Sequence, residues 1–187
     1  MAVRPQPHLF TVEEYYRMAQ TGILGEDDRV ELIKGEVVEM TPISSRHAAT
    51  VDRLTALFSR LVIDLAVVRV QGPIRLGQHS EPQPDVTLLR LRRDFYAEAH
   101  PGPEDALLVV EVAESSAAYD RSIKASLYSV AGVPELWIVD LARAQIATYR
   151  SPGPDGYGEL GQVVSGGRLS PLAFPDLVID PRDVLGL

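Results

Sequence analysis

The sequence predicts an α/β fold, an α+β mixed sheet with helices on its faces, in the order α-β-β-α-β-β-β-α-β-β. Three observations predict it. The 187 residues are 45% hydrophobic and 24% charged, ordinary globular proportions that fit a single domain over 1–187. Segments with helical apolar spacing alternate with short apolar runs bounded by glycine and proline. One such run, at 106–113, is apolar except for Glu111, the pattern of a central strand covered on both faces.

The elements follow in order. Thr11 with Glu14 forms a capping box that opens a first helix, with Phe10 placed to staple against Tyr15. That helix runs to Gln20 and stops at Thr21-Gly22. Residues 29–40 predict a β-hairpin turning on Lys34-Gly35. A second helix starts near Ser44-Ser45, and Val51, Leu54, Phe58, Leu61 and Leu65 carry its apolar spacing. Strands are expected at 67–76, 85–90 and 106–113, divided by Pro82, Pro84, Pro101, Gly102 and Pro103. Ser115 or Ser116 caps a third helix to Ala131, with Ile123, Leu127, Val130 and Ala131 as its buried stripe and Gly132 as its stop. Strands at 135–140 and 145–150 complete the sheet. Residues 151–187, rich in glycine and proline, read as an appended β-rich edge.

Composition excludes several classes. With no cysteine there is no disulfide framework, thiolate nucleophile or cysteine-bound zinc. No apolar run approaches the roughly 18 residues of a membrane span, and Met1 to Pro5 show no signal-peptide core, so a cytoplasmic protein with no membrane partner is expected. The balance of 18 basic against 26 acidic residues, a net charge of −8, lacks the basic footprint of a nonspecific DNA binder. Only Lys34 and Lys124 are lysines.

The candidate chemistry starts at Glu111, because a carboxylate inside an apolar strand requires a cation, a metal or a donor network. An arginine partner at the strand end would satisfy it structurally. Asp85, after Pro84 at the head of another apolar strand, is by itself a turn residue. Together, carboxylates on neighbouring strands make a hard-oxygen site suited to Mg²⁺. Lys124 joins them by arithmetic. The strand continues about 10 Å past the level of Glu111 before the chain turns, and a helix packing back covers about 12 Å before Lys124. A surface pair with Asp120 is the alternative. Glu31 fits either a solvated edge or a third site carboxylate, and His47 is expected to be a cap in the second helix rather than a ligand. Gly156-Tyr157-Gly158-Glu159-Leu160-Gly161 matches a dinucleotide-binding fingerprint, but no helix follows it, so it reads as a hairpin loop. Arg90-Leu91-Arg92-Arg93 reads as a solvated strand end.

Taken in order, these pieces resemble the PD-(D/E)XK nuclease superfamily, and more closely its bacterial branch labelled Uma-two, assigned to restriction endonucleases. The resemblance rests on 29–37, Thr41-Pro42 with His47, Pro84-Asp85-Val86, Val110-Glu111-Val112 with Ser115, Asp120 with Lys124 and Tyr128, and 132–140. It implies a restriction-endonuclease-like core and a DNA endonuclease with Mg²⁺, or Mn²⁺ in its place, held by Asp85, Glu111 and the backbone carbonyl of Val112. Lys124 would orient the attacking water or stabilise the transition state, and Glu31 would assist. The superfamily's usual lysine lies two residues after the acidic one, where this chain has Ala113; the resemblance moves that role to Lys124. An acidic chain of this size would build a DNA cleft by combining subunits, so a homo-oligomer is expected. Two other readings stay open: a silent nuclease-fold binding or assembly protein, and an enzyme acting on a small phosphate ester through a narrow pocket over Asp85.

Overall fold

The computed structural model describes residues 6–25, 27–114 and 116–187; the N-terminal reading of Met1 to Pro5 and the Ser115 positions of the cap and motif lie outside them. Helix α1, Val12–Gln20, opens on the expected capping box: Glu14 N donates to Thr11 Oγ1 (3.2 Å) and Thr11 N donates to Glu14 Oε2 (2.8 Å). Strands β1 (Val30–Ile33) and β2 (Glu36–Glu39) pair antiparallel across Lys34-Gly35. Both turn residues have positive φ, 51° and 80°, as a type I′ turn requires. A Cβ on Gly35 would stand 2.6 Å from Leu9 Cβ, so glycine also admits the chain that crosses the turn.

Helix α2, Ser45–Leu61, is capped by Ser44, whose hydroxyl accepts from His47 N. The main sheet has six strands in the order β3 (Val67–Val70), β4 (Val86–Leu89), β5 (Ala106–Ala113), β6 (Glu135–Asp140), β7 (Gln145–Arg150) and β8 (Glu159–Val164). Only β5 and β6 pair in parallel; every other neighbouring pair in this sheet is antiparallel. The parallel pair needs a crossover, supplied by α3 (Ala117–Tyr119), a π-helical stretch at Asp120–Lys124, and α4 (Ala125–Ala131). Gly132, at φ 86°, ends the crossover in the left-handed region.

Period-two alternation in β5 sorts its side chains between two cores. Leu108, Val110 and Val112 pack with Val51, Leu54 and Phe58 of α2. Val109 and Ala113 pack with Ala117, Ala125 and Tyr128 of the crossover. Glu111 falls between them on the crossover face. That phase aims the carboxylate at the helix rather than at α2.

Three expectations need correction. The β1–β2 hairpin forms its own two-stranded sheet, tied to the segment before β4 by a bridge between Leu32 and Glu81. The strand expected at 67–76 ends at Val70, because Gln71 turns to φ 46°. The third helix is not uniform: Ala125 N donates five residues back to Asp120 O. This extra residue shifts the phase, leaving Val130 63% exposed while Asp120, Lys124 and Tyr128 turn inward. The C-terminal edge carries the expected short strands, beginning with β8. Beyond β8 it holds a Leu169–Ile179 bridge and a short helix α5, Pro181–Leu185, whose Val184 and Leu185 join the α2 core. The glycine-rich motif at 156–161 does enter a hairpin, between β7 and β8.

Candidate active site

Each acidic side chain reaches the site for a local reason. Asp85 follows Pro84 and immediately precedes β4. Its Oδ2 accepts from Val112 N on β5 at 2.8 Å, while Oδ1 lies 2.8 Å from His47 Nε2 and 3.3 Å from Gln71 Nε2. Main-chain N–H and C=O of one strand residue share an edge, so the Val112 carbonyl faces the same edge as the N–H that reaches Asp85. Glu111 projects from the next position of β5 onto the crossover. Its Oε1 accepts from Lys124 Nζ (3.2 Å) and Tyr128 Oη (2.8 Å). No described residue donates to its Oε2.

Lys124 is 6% exposed, and its ammonium lies between Glu111 Oε1 and Glu31 Oε1, the latter at 3.3 Å. The strand-and-helix arithmetic therefore put it at the right level, while the π-helical stretch puts it on the right face. Glu31 is buried and takes a bond from Gln83 N at 3.1 Å. Its solvated-edge alternative does not hold. His47 departs from expectation in the opposite direction: its ring pairs with Asp85 instead of facing solvent as a cap. Ser44 holds the first turn of α2, and that hold brings the ring over Asp85.

These groups line one cavity of about 340 Å³ that includes Glu31, His47, Asp85, Glu111, Val112 and Lys124. Arg29, Tyr119 and Asp120 also line it. From the sequence Arg29 counts only among the residues of the resemblance, Asp120 there and as a surface partner of Lys124, and Tyr119 not at all. Asp120 is 3% exposed and bonded to Ser116 Oγ. The available signal was its spacing, since Asp120, Lys124 and Tyr128 recur every four residues along one helical face.

Burial pushes the Glu111 carboxyl up to about 8, a rise that the Lys124 charge only partly opposes and that Asp120, Asp85 and Glu31 reinforce. Asp120 is also raised by burial. Burial works against the Lys124 charge, but Glu111, Glu31 and Asp120 outweigh it and hold its pKa above the ordinary value. The hydrogen bond to Asp85 raises His47. Such a crowd of acids around one ammonium is short of positive charge.

The donor set suits a hard divalent cation. Asp85, Glu111 and a backbone carbonyl provide only oxygen, and Glu111 keeps one oxygen without a described donor. Among the described residues no group of three or more His, Asp or Glu side chains is arranged to hold a metal ion. Two carboxylates and a carbonyl would hold Mg²⁺ only with water and substrate completing its shell, which is how Mg²⁺ is usually bound.

A mixed sheet and its crossover thus bring Asp85 at the head of β4, Glu111 on β5 and Lys124 onto one cavity. The chain belongs to the Uma2 family, whose model, described as "Putative restriction endonuclease", matches residues 12–182. A solved structure from Anabaena variabilis, described as a "putative nuclease belonging to DUF820", superposes with a TM-score of 0.75 at 15% identity, covering 95% of this chain and 98% of that one. No curated protein matches the chain. The family supports a nuclease, and the Anabaena structure shows the same fold.

Proposed function

We propose that this protein is a Mg²⁺-dependent endonuclease that hydrolyses DNA phosphodiester bonds in the cavity over Asp85 and Glu111. The observation that carries this reading is the convergence of Asp85, Glu111 and Lys124, from three different elements, on one cavity. Asp85, Glu111 and the Val112 carbonyl would hold the ion. A bound divalent cation supplies Lewis acidity and neutralises charge on the scissile phosphate.

The chain's own residues do the rest. Val112 N, His47 and Gln71 fix the Asp85 carboxylate, and Tyr128 fixes Glu111. Glu31, at 3.3 Å, holds the Lys124 ammonium together with Glu111. From there Lys124 orients the attacking water and stabilises negative charge as it grows on the phosphoryl oxygens. Arg29, exposed at the cavity, offers a cation to a flanking phosphate. With a net charge of −8, a DNA-sized cleft would come from two or more copies side by side, which light scattering would report.

The competing reading is a nuclease-fold protein that binds without cutting. The observation favouring it is the ammonium of Lys124 seated on Glu111, together with Ala113 at the superfamily's usual lysine position. The test is cleavage of supercoiled, linear and single-stranded DNA with Mg²⁺ or Mn²⁺. Strand breaks that disappear in Asp85→Ala and Glu111→Ala are expected. Equal breakage by these variants, or none by the wild type, would overturn the proposal.

A further inference from the structure

The acidic groups lie deep in their cavity, and the wall above them has a different chemistry. Asp85, Glu111 and Lys124 are all buried. Val38, Met40 and Ile43, from β2 and the loop behind it, line the same cavity, and Tyr119 lines it from the crossover. These four are half-buried or exposed. The hydroxyls of Tyr15, Tyr16, Tyr96, Tyr128 and Tyr157 all donate to protein oxygens, whereas that of Tyr119 has no partner among the described residues. Burial raises the Tyr119 phenol, and the Glu31 carboxylate raises it further, so the ring stands within electrostatic reach of the acids without a bond that ties it to the fold.

A scissile phosphate has no use for such a wall. Three aliphatic side chains and a phenol ring offer an anion little, but they suit the flat face of a base and the sugar behind it. The rim carries one acid, Glu39, and one base, Arg29, both exposed, and so leaves the selection to the wall. Size then decides between forms of DNA. A cavity of about 340 Å³ is about 7 Å across if equant, narrower than the ~12 Å major groove of a duplex. Bases inside a duplex are stacked on one another and cannot lay a face on Tyr119. An unpaired nucleotide presents its phosphate and its ring face at once.

We infer that this cavity selects unpaired nucleotides, with the base beside the scissile phosphate lying on Tyr119 and against Met40 and Ile43, so that single-stranded DNA binds in preference to duplex. The inference names the form of substrate for the proposed nuclease and rests on that reading, which supplies the cation that lets a phosphate approach the acids. Tyr119 is then a specificity-determining residue: it holds the base and takes no part in the bond that breaks.

The experiment is fluorescence anisotropy of the full chain in Ca²⁺, an ion that accepts oxygen ligands, with strand length checked by gel. The labelled probes are oligothymidylate of about 16 nucleotides, its duplex with oligodeoxyadenylate, and the same backbone without bases. Wild type is expected to bind the single strand about tenfold tighter than either of the others, the lower part of the range for one stacked base. Tyr119→Ala should erase that preference, and Tyr119→Phe, which keeps the ring, should retain it. The abasic strand needs no variant, so the test stands even if Tyr119→Ala fails to fold. Equal or tighter binding of the duplex or the abasic strand, no binding of any probe, or a preference that survives Tyr119→Ala or is lost equally in Tyr119→Phe would overturn the inference. Cleavage in Mg²⁺ separates the two claims. A single-strand preference without strand breaks overturns the nuclease reading alone, and equal binding and equal cleavage of both forms overturn this inference alone.

Discussion

Raising the pH from 5 to 8 in the absence of divalent ions should destabilise this protein, and Glu111 sets the size of the effect. Its carboxyl is ordinary in the unfolded chain but pushed from 4.5 up to about 8 by burial in the fold. Between those values the folded state binds more protons than the unfolded state, so stability falls as pH rises. The interval spans about 3.5 pH units at about 1.4 kcal/mol each, which caps the loss at about 5 kcal/mol. His47 and Asp120, both raised, act in the same direction. The lowered carboxyls of Asp140 and Asp180 act in the opposite direction, but only below their ordinary 3.8. If half of the ceiling is realised, the melting temperature drops by about 5–10 °C for a chain of this size. Thermal melts in EDTA across this range measure it, with Glu111→Gln as the control that should flatten most of the slope. A melting temperature that holds or rises from pH 5 to 8, or an equal fall in Glu111→Gln, would refute the reasoning.

Lys124→Ala should fold and bind Mn²⁺ at least as well as wild type, since its ammonium no longer competes for Glu111. DNA cleavage should nevertheless fall by about 10²-fold or more, measured by plasmid nicking. His47→Ala removes one of three donors to Asp85 and should weaken the apparent Mg²⁺ affinity by about tenfold with a smaller change in kcat, seen in a metal titration of the cleavage rate. Glu135 is fully buried and accepts from Trp137 Nε1 (2.9 Å), Arg150 Nε (2.7 Å) and Leu172 N (2.5 Å). Glu135→Ala should therefore cost about 3–5 kcal/mol in urea unfolding and speed proteolysis after Leu172.

Much of the fold was legible because local rules agreed with the global arrangement. The Thr11–Glu14 box, the Lys34-Gly35 turn and the Gly132 stop each act over a few residues. The lone glutamate in β5 was legible because a buried charge stands out against apolar neighbours. What the sequence hid was phase. A π-helical stretch inserts one residue into the register, so a stripe counted at 3.6 residues per turn put Val130 inside and left Asp120 off the buried face. His47 was hidden for another reason. Nothing local in Ser44-Ser45-Arg46-His47 signals a partner 38 residues away, and the bond to Asp85 exists only once α2 lies across the head of β4. Glu31 stayed undecided because β1 is buried at three of its four positions, which erases the alternation that would show its face.

Calorimetric titration of the full chain with Mn²⁺ tests the central claim most directly, because a live site differs from a silent one in whether Asp85 and Glu111 take a divalent ion. The account predicts saturable binding by wild type that disappears in both Asp85→Asn and Glu111→Gln and persists in Lys124→Ala. No saturable binding by folded wild-type protein, or binding indifferent to both carboxylate substitutions, would contradict it.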